Sequence, residues 1–238
     1  IRRVNVNIAA AATEEYKRLK AVGIGTYQLF QETYHKETYE KVHKGPKSDF
    51  ERQLFAHDRA MAAGIDDVGL GVLYGLFDYK FDTLALVSHS QYLERKYNTG
   101  PHTISVPRFQ PTPTADINLK YKVSEEQLLK AISILRMAVP YTGMIITTRE
   151  RPELRSKAFQ IGISQTSAAS KTDPGGYGKD NGSVSQFSLQ DHRSLDAVVE
   201  SIIQEGLMPS FCTACYRLGR TGEKIMEWLK AGEIHNLC

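Results

Sequence analysis

All three cysteines of the 238-residue chain stand at its C-terminal end, in FCTACYRLGRTGEKIMEWLKAGEIHNLC, as Cys212, Cys215 and Cys238. The first two are three positions apart, so a single turn can present both thiolates to one metal ion or cluster. The third returns after twenty-two intervening residues. Three thiolates leave one coordination position open. On zinc that position takes a histidine, for which His235 is at hand, or a water. On a four-iron cluster it leaves one iron accessible to an outside ligand. The spacing does not choose between these metals, and free cysteines are also commonly buried as inert small side chains. On the residues alone, a zinc site, an iron–sulfur site and structural thiols all stay open.

The elements that must carry such a site alternate from the start. VNVNI (Val4 to Ile8) reads as a strand by its period of two. Thr13, Glu14 and Glu15 then open a helix that Gly23 closes. IGTYQLFQET is the second strand and residues 50–64 the second helix. DDVGLGVLYG is the third strand, followed by a helix over residues 81–97. HTISVPRF is the fourth strand. Ser124 and Gln127 form a capping box before Leu128, Ile132, Leu135 and Val139, which recur on one helical face. GMIITTRE is the fifth strand, a short helix starts at Pro152, and GISQTSAAS is the sixth. A Gly/Ser/Asp/Asn-rich stretch then reads as a flexible loop. The helix SLDAVVESIIQEG, with Leu195, Val198, Val199 and Ile202 on one stripe, leads into the cysteine segment.

Six strand–helix alternations imply a parallel sheet. No G-x-G-x-x-G opens a helix, which argues against a dinucleotide-binding domain. The expected fold is α/β: a partial (βα) TIM-type barrel, with about six of eight units, and a C-terminal helical and cysteine extension. The expected division is a barrel part over residues 1–170, a flexible loop over 171–191, and a cysteine region over 192–238. Gly69, Gly71 and Gly143 fall inside strands, where glycine lets another group approach closely. Both ends of the chain read as cuts in a longer protein. The barrel then has open edges at Val4 to Ile8 and at Ile163 to Ser167, through which the piece is expected to dimerise.

The balance of 30 basic and 27 acidic side chains is too even for a nucleic-acid partner. No apolar run reaches the ~18 residues of a membrane helix. An odd number of cysteines suits a reducing, cytoplasmic compartment better than a disulfide framework. Barrel enzymes place their chemistry at the C-terminal ends of the strands. Arg149 closes MIITTR there, and its planar fork suits a substrate carboxylate. Ser167 at the end of the next strand and Arg108 in SVPR are further candidates. Each is equally an ordinary rim contact. His102 opens its strand and so belongs at the opposite, N-terminal rim, where a hydrogen-bonded core histidine is the plain alternative.

The stretches RRVNVNIA, GIGTYQLFQETYH, AMAAGIDDVGLGVLYGL, GPHTISVPR, RMAVPYTGMIITTRE, IGISQTSA and CTACYRLGRTGE…IHNLC resemble the tyrosine lyases of FeFe-hydrogenase maturation, a family of radical S-adenosylmethionine (SAM) enzymes. The resemblance runs through nearly the whole chain. It implies a (βα)8 barrel whose N-terminal C-x3-C-x2-C loop binds the 4Fe-4S cluster that cleaves SAM. That loop and the first two strand–helix units have no counterpart here. It also implies cleavage of tyrosine to p-cresol and dehydroglycine, with the latter converted to carbon monoxide and cyanide on iron. Hydrogenase maturation proteins are the implied partners.

By the same resemblance, Cys212, Cys215 and Cys238 hold an auxiliary 4Fe-4S cluster and His102 binds its additional labile iron. Arg149 and Ser167 act on the substrate, with Arg108 as a further contact, and Gln31, Glu32 and Tyr34 meet SAM. The alternatives are a thiamine-biosynthesis tyrosine lyase (2-iminoacetate synthase), a family that lacks the C-terminal cysteine triplet, and a non-catalytic zinc or iron–sulfur module. The piece alone is expected to be inactive.

Overall fold

The computed structural model describes residues 4–110, 120–172, 188–211 and 231. Five strands, β1 (Tyr27–Gln28), β2 (Val68–Gly71), β3 (Thr103–Ser105), β4 (Gly143–Ile146) and β5 (Gln165–Thr166), form one parallel sheet in chain order. The register is continuous across it: Gly69 pairs with Gln28 and Thr103, and Thr103 with Gly143. Parallel neighbours need long crossovers, and helices supply them. These are α1 (Thr13–Ala21), α2 (Lys36–Val42), α3 (Phe50–Leu54), α4 (Ala56–Ala62), α5 (Tyr79–Tyr97), α6 (Glu125–Ala138) and α7 (Pro152–Ile161), with α8 (Leu195–Gln204) following β5. The fold is the partial (βα) barrel that the alternation predicts.

The expected first strand is reduced to one parallel bridge, Val6 to Tyr27. Its backbone still pairs there, with Val6 N–H donating to the Thr26 carbonyl at 2.9 Å and Gln28 N–H to the Val6 carbonyl at 2.9 Å. Val4 and Ile8 on either side are exposed. Pairing elsewhere outlasts the formal strands. Gln31 N–H donates to the Gly71 carbonyl at 2.9 Å, and isolated bridges join Glu32 to Val72 and Tyr74 to Arg108.

The helix expected over 50–64 breaks at Phe55, whose backbone leaves the helical region, so it becomes α3 and α4. α2 has no counterpart in the sequence reading. Its cap is His35, whose ring nitrogen accepts from Thr38 N–H at 3.3 Å, and Tyr39 is its one buried residue. The capping box of α6 forms as expected, with bonds of 3.2 and 2.9 Å between Ser124 and Gln127. On α8 only Val198 of the expected stripe is buried, and Leu195 is exposed.

The two faces of the sheet differ in kind. On the outer face Val68, Leu70, Val72, Ile104, Val106, Met144 and Ile146 are at most 1% exposed. They form one core with Leu86, Leu93, Leu128, Ile132, Leu135 and Leu154 of the helices. Each such side chain contributes roughly 1.5–3 kcal/mol by leaving water. The alternate residues, Gln28, Gly69, Gly71, Thr103, Ser105, Gly143, Ile145 and Gln165, face the barrel interior. The glycines are needed there. A Cβ on Gly69 would lie 2.6 Å from Thr103 Oγ1, one on Gly71 2.5 Å from the Phe30 ring, and one on Gly143 2.4 Å from Gln165 Nε2.

Two histidines are buried between the sheet and its helices. His57 Nε2 lies 3.0 Å from the Gly69 carbonyl, His89 Nδ1 lies 2.8 Å from the Tyr34 hydroxyl, and the rings are 5.8 Å apart. Burial, then the neighbouring His89, pushes His57 down to about 3; burial takes His89 down to about 4. Burial also pushes the Asp82 carboxyl up to about 6, against the bonds it accepts from Tyr34 N–H and Thr33. Below pH ~6.5 both imidazoles gain protons in the unfolded chain but not in the folded one, whereas below pH ~6 Asp82 gains one in the folded chain first. The net is one more proton on the unfolded state. Between pH 6 and 4 these groups should cost stability at about 1.4 kcal/mol per pH unit. Urea unfolding at pH 6, 5 and 4 measures this, and His57→Gln, which keeps a donor for Gly69, should flatten the slope.

Candidate active site at the barrel mouth

The C-terminal strand ends bring Glu32, Arg149 and Ser167 to one rim. Glu32 follows β1 with φ at +67°, a left-handed conformation that costs a non-glycine residue of order 1 kcal/mol or more. Its carbonyl accepts from Leu73 N–H at 2.8 Å, which ties this turn to the end of β2. Its carboxylate takes His43 Nε2 at 2.7 Å on one oxygen and the Lys47 ammonium on the other. Burial disfavours the charge on Glu32, but the bonds from His43 and Lys47 outweigh it and hold the carboxyl below its ordinary range.

Arg149, past the end of β4, is half-buried. Desolvation lowers its guanidinium, while the negative charges of Glu32 and Glu150 work against that shift. Ser167, past the end of β5, accepts on Oγ from Thr148 N–H at 3.3 Å, so it is fixed beside the end of β4. A residue the sequence reading missed holds this corner. Arg155 of α7 is 1% exposed and donates to Thr166 Oγ1 and to the Ser167 carbonyl, both at 2.5 Å, and to the Asp191 carboxylate. Gln190 and Asp191 N–H both donate to the Thr148 carbonyl, at 2.9 and 3.1 Å. The last residues of the stretch read as a flexible loop are therefore anchored at the mouth. An arginine on a helix carries no sequence signal for such a role.

Arg108 lies past the end of β3. Its fork is filled by Glu150, with Nε to Oε1 at 2.8 Å and Nη2 to Oε2, and Nη1 donates to the Val123 carbonyl at 3.0 Å. It lines a cleft of about 230 Å³ with Tyr74, Phe109, Gln110, Glu150 and Gln190. Of the three residues expected around SAM, only Glu32 shares a field with Arg149. Tyr34 turns to α5, where its hydroxyl meets His89 and its N–H donates to Asp82 at 2.8 Å. Gln31 is 4% exposed, and its amide reaches the Thr33 carbonyl at 3.5 Å.

His102 stands at the other end. Its N–H donates to the Val68 carbonyl at 2.9 Å and its carbonyl accepts from Gly143 N–H at 2.8 Å, just before β3 begins. Arg108 lies six steps further along the chain, roughly 20 Å if extended. Cys212, Cys215 and Cys238 lie outside the described residues, as does His235. Among the described residues no three His, Cys, Asp or Glu side chains gather to hold a metal ion, and no helix is long and apolar enough to cross a membrane.

This fold is that of a (βα)-barrel enzyme with part of its wall represented. The biotin and thiamin synthesis associated domain matches residues 105–208. The chain is similar to HydG, described as a maturase of the [FeFe]-hydrogenase: 55% identity over 99% of this chain and 52% of that one, with a TM-score of 0.94. HydG from Carboxydothermus hydrogenoformans is 50% identical over 91% of this chain and half of its own, with a TM-score of 0.85. The 2-iminoacetate synthase of Escherichia coli (strain K12) is 34% identical over 93% of this chain. The chain spans 59% of that relative's length. Methylornithine synthase, at 19% identity and a TM-score of 0.64, shares the fold. The resemblance drawn from the motifs thus holds along almost the entire chain, and it is nearer to HydG than to 2-iminoacetate synthase.

Because Glu150 is 2% exposed in its side chain and Arg108 only 15%, removing one partner strands the other. Arg108→Ala should cost about 3 kcal/mol, read as a lowered urea midpoint with an unchanged slope.

Proposed function

We propose that the chain is the central and C-terminal part of a radical SAM tyrosine lyase of FeFe-hydrogenase maturation. In the whole enzyme, tyrosine is cleaved to p-cresol and dehydroglycine, and the latter yields carbon monoxide and cyanide on iron. The observation that carries this reading is the 55% identity to HydG over 99% of the chain at a TM-score of 0.94. The reading places the protein in the cytoplasm, with other hydrogenase maturation proteins as its partners.

The donor sets suit the groups this reading requires. Cys212, Cys215 and Cys238 supply three thiolates for an auxiliary 4Fe-4S cluster and leave one iron open. His102, at the N-terminal rim, is the ligand for the additional labile iron. Glu32 offers a carboxylate acceptor at the mouth for the hydroxyl or ammonium groups of SAM, with Gln31 and Tyr34 behind it in the same turn. SAM and its own 4Fe-4S cluster supply the radical that begins the cleavage. Arg149 is the clasp for the tyrosine carboxylate: it stands past the end of β4, and a guanidinium suits a carboxylate by two parallel donors. Ser167 lies beside it on the next strand. Arg108, already engaged by Glu150, supports the rim behind the substrate.

The domain division at 170 and 192 follows from this assignment: barrel wall first, cluster region last. Prepared alone, the piece lacks the SAM-cleaving loop and is inactive, and its open sheet edges favour dimerisation. A 2-iminoacetate synthase is the second reading, favoured by the 34% identity to the Escherichia coli enzyme. The C-terminal cysteines separate the two. In the full-length protein, reconstituted anaerobically, Cys212→Ala with Cys215→Ala should remove about half of the cluster iron and stop cyanide formation while p-cresol is still released. Unchanged iron content would sink the auxiliary-cluster assignment.

The clasp is tested separately. Arg149→Lys in the full-length enzyme should weaken tyrosine binding about tenfold, because an ammonium cannot reproduce the fork. Equilibrium binding of tyrosine measures it, and an unchanged affinity removes Arg149 from the role.

A further inference from the structure

The turn after β1 holds a buried set of polar groups whose hydrogen bonds fix a proton count. His43, at the C-terminal end of α2, has a side chain 7% exposed, and its ring packs 4.1 Å from that of Tyr39. Both of its nitrogens face acceptors. Nδ1 lies 2.8 Å from the Tyr39 carbonyl, and Nε2 lies 2.7 Å from Glu32 Oε2. A carbonyl oxygen can only accept, so Nδ1 carries a hydrogen. An ionised carboxylate can also only accept, so a hydrogen must lie on Nε2 as well. An imidazole with both nitrogens protonated is a cation. The same carboxylate receives the Lys47 ammonium on its other oxygen, so one negative charge faces two positive ones. Glu32 itself sits in a left-handed backbone conformation, which something outside its own turn must over-determine.

We propose that His43 is a positioning residue: an imidazolium that, with Lys47, holds the Glu32 carboxylate ionised and in one orientation at the barrel mouth. The role given to that carboxylate rests on the SAM reading above, but the charge state of His43 does not. Lys47 is half-exposed, at 46% of its side chain, and His43 is enclosed. The histidine is therefore the fixed half of the clamp and the lysine the half that can leave when another donor arrives. A neutral histidine with its hydrogen on Nδ1 could bond Glu32 only by accepting a hydrogen bond at Nε2 from a protonated carboxyl, and Glu32 would then no longer offer two acceptor oxygens. The clamp keeps both available.

The test is a nitrogen NMR spectrum of the full-length protein labelled at histidine, at pH 7.5, with His43 assigned by its loss in His43→Gln. Two protonated ring nitrogens are expected for His43. In Glu32→Gln, a near-isosteric change, His43 should drop to a single ring hydrogen, on Nδ1 against Tyr39. In Lys47→Met it should keep both. A single ring proton on His43 in the unmodified protein overturns the proposal, and so does a doubly protonated His43 that is indifferent to Glu32→Gln. The measurement needs no SAM. The SAM reading fails on its own grounds if Glu32→Gln binds SAM as tightly as the unmodified protein, whatever the spectrum shows.

Discussion

The structure depends on how closely the strands can wrap while side chains fill the space inside. Residues on the inner face of a small parallel barrel converge, so a large side chain on one strand needs a small residue on the next. Here Gly69, Gly71 and Gly143 surrender their side chains to Thr103, Phe30 and Gln165. Gln28 crosses to Ser105, with Nε2 to Oγ at 3.4 Å. The outer face repeats the opposite chemistry, an unbroken apolar layer under the helices. That asymmetry keeps the continuous apolar core outside the sheet and brings charged side chains to the mouth.

At the mouth, charged side chains join elements that hydrophobic packing alone would leave free. Arg108 and Glu150 link the ends of β3 and β4 and reach Val123 ahead of α6. Arg155 links α7, the end of β5 and Asp191. Buried pairs of this kind add little net stability, because desolvation offsets most of their attraction. Their use is geometric. Each fixes where a strand end sits, and the candidate site consists of strand ends. The crowding of cations and carboxylates around Glu32, His43, Lys47 and Arg149 belongs to the same rim.

The two ends of the barrel carry different side chains. The mouth carries Arg149 and the Glu32 carboxylate that His43 and Lys47 hold. The opposite rim carries His102, held by the backbone between β2 and β4.

The sequence by itself determined the alternation of strand and helix, the parallel sheet, the capping box at Ser124 and Gln127, and the strand glycines. Each is written in local chemistry, as period, cap or missing Cβ, which one stretch of chain carries without its neighbours. Its motifs also sufficed for the resemblance to HydG. What only the tertiary structure decided lies in pairings between residues far apart. Arg108 and Arg149 are equivalent in sequence, each an arginine closing a strand. That a carboxylate engages Arg108 rests on Glu150 lying one strand over, 42 positions away. The helix read as one piece over 50–64 breaks at Phe55, and α2 forms behind a histidine cap, a residue type that is not among the usual N-caps. Arg155 looks like a surface helix residue until Asp191 folds against it. His43 becomes legible only when the turn after β1 brings Glu32 to its second nitrogen, since a proton count needs both acceptors in place.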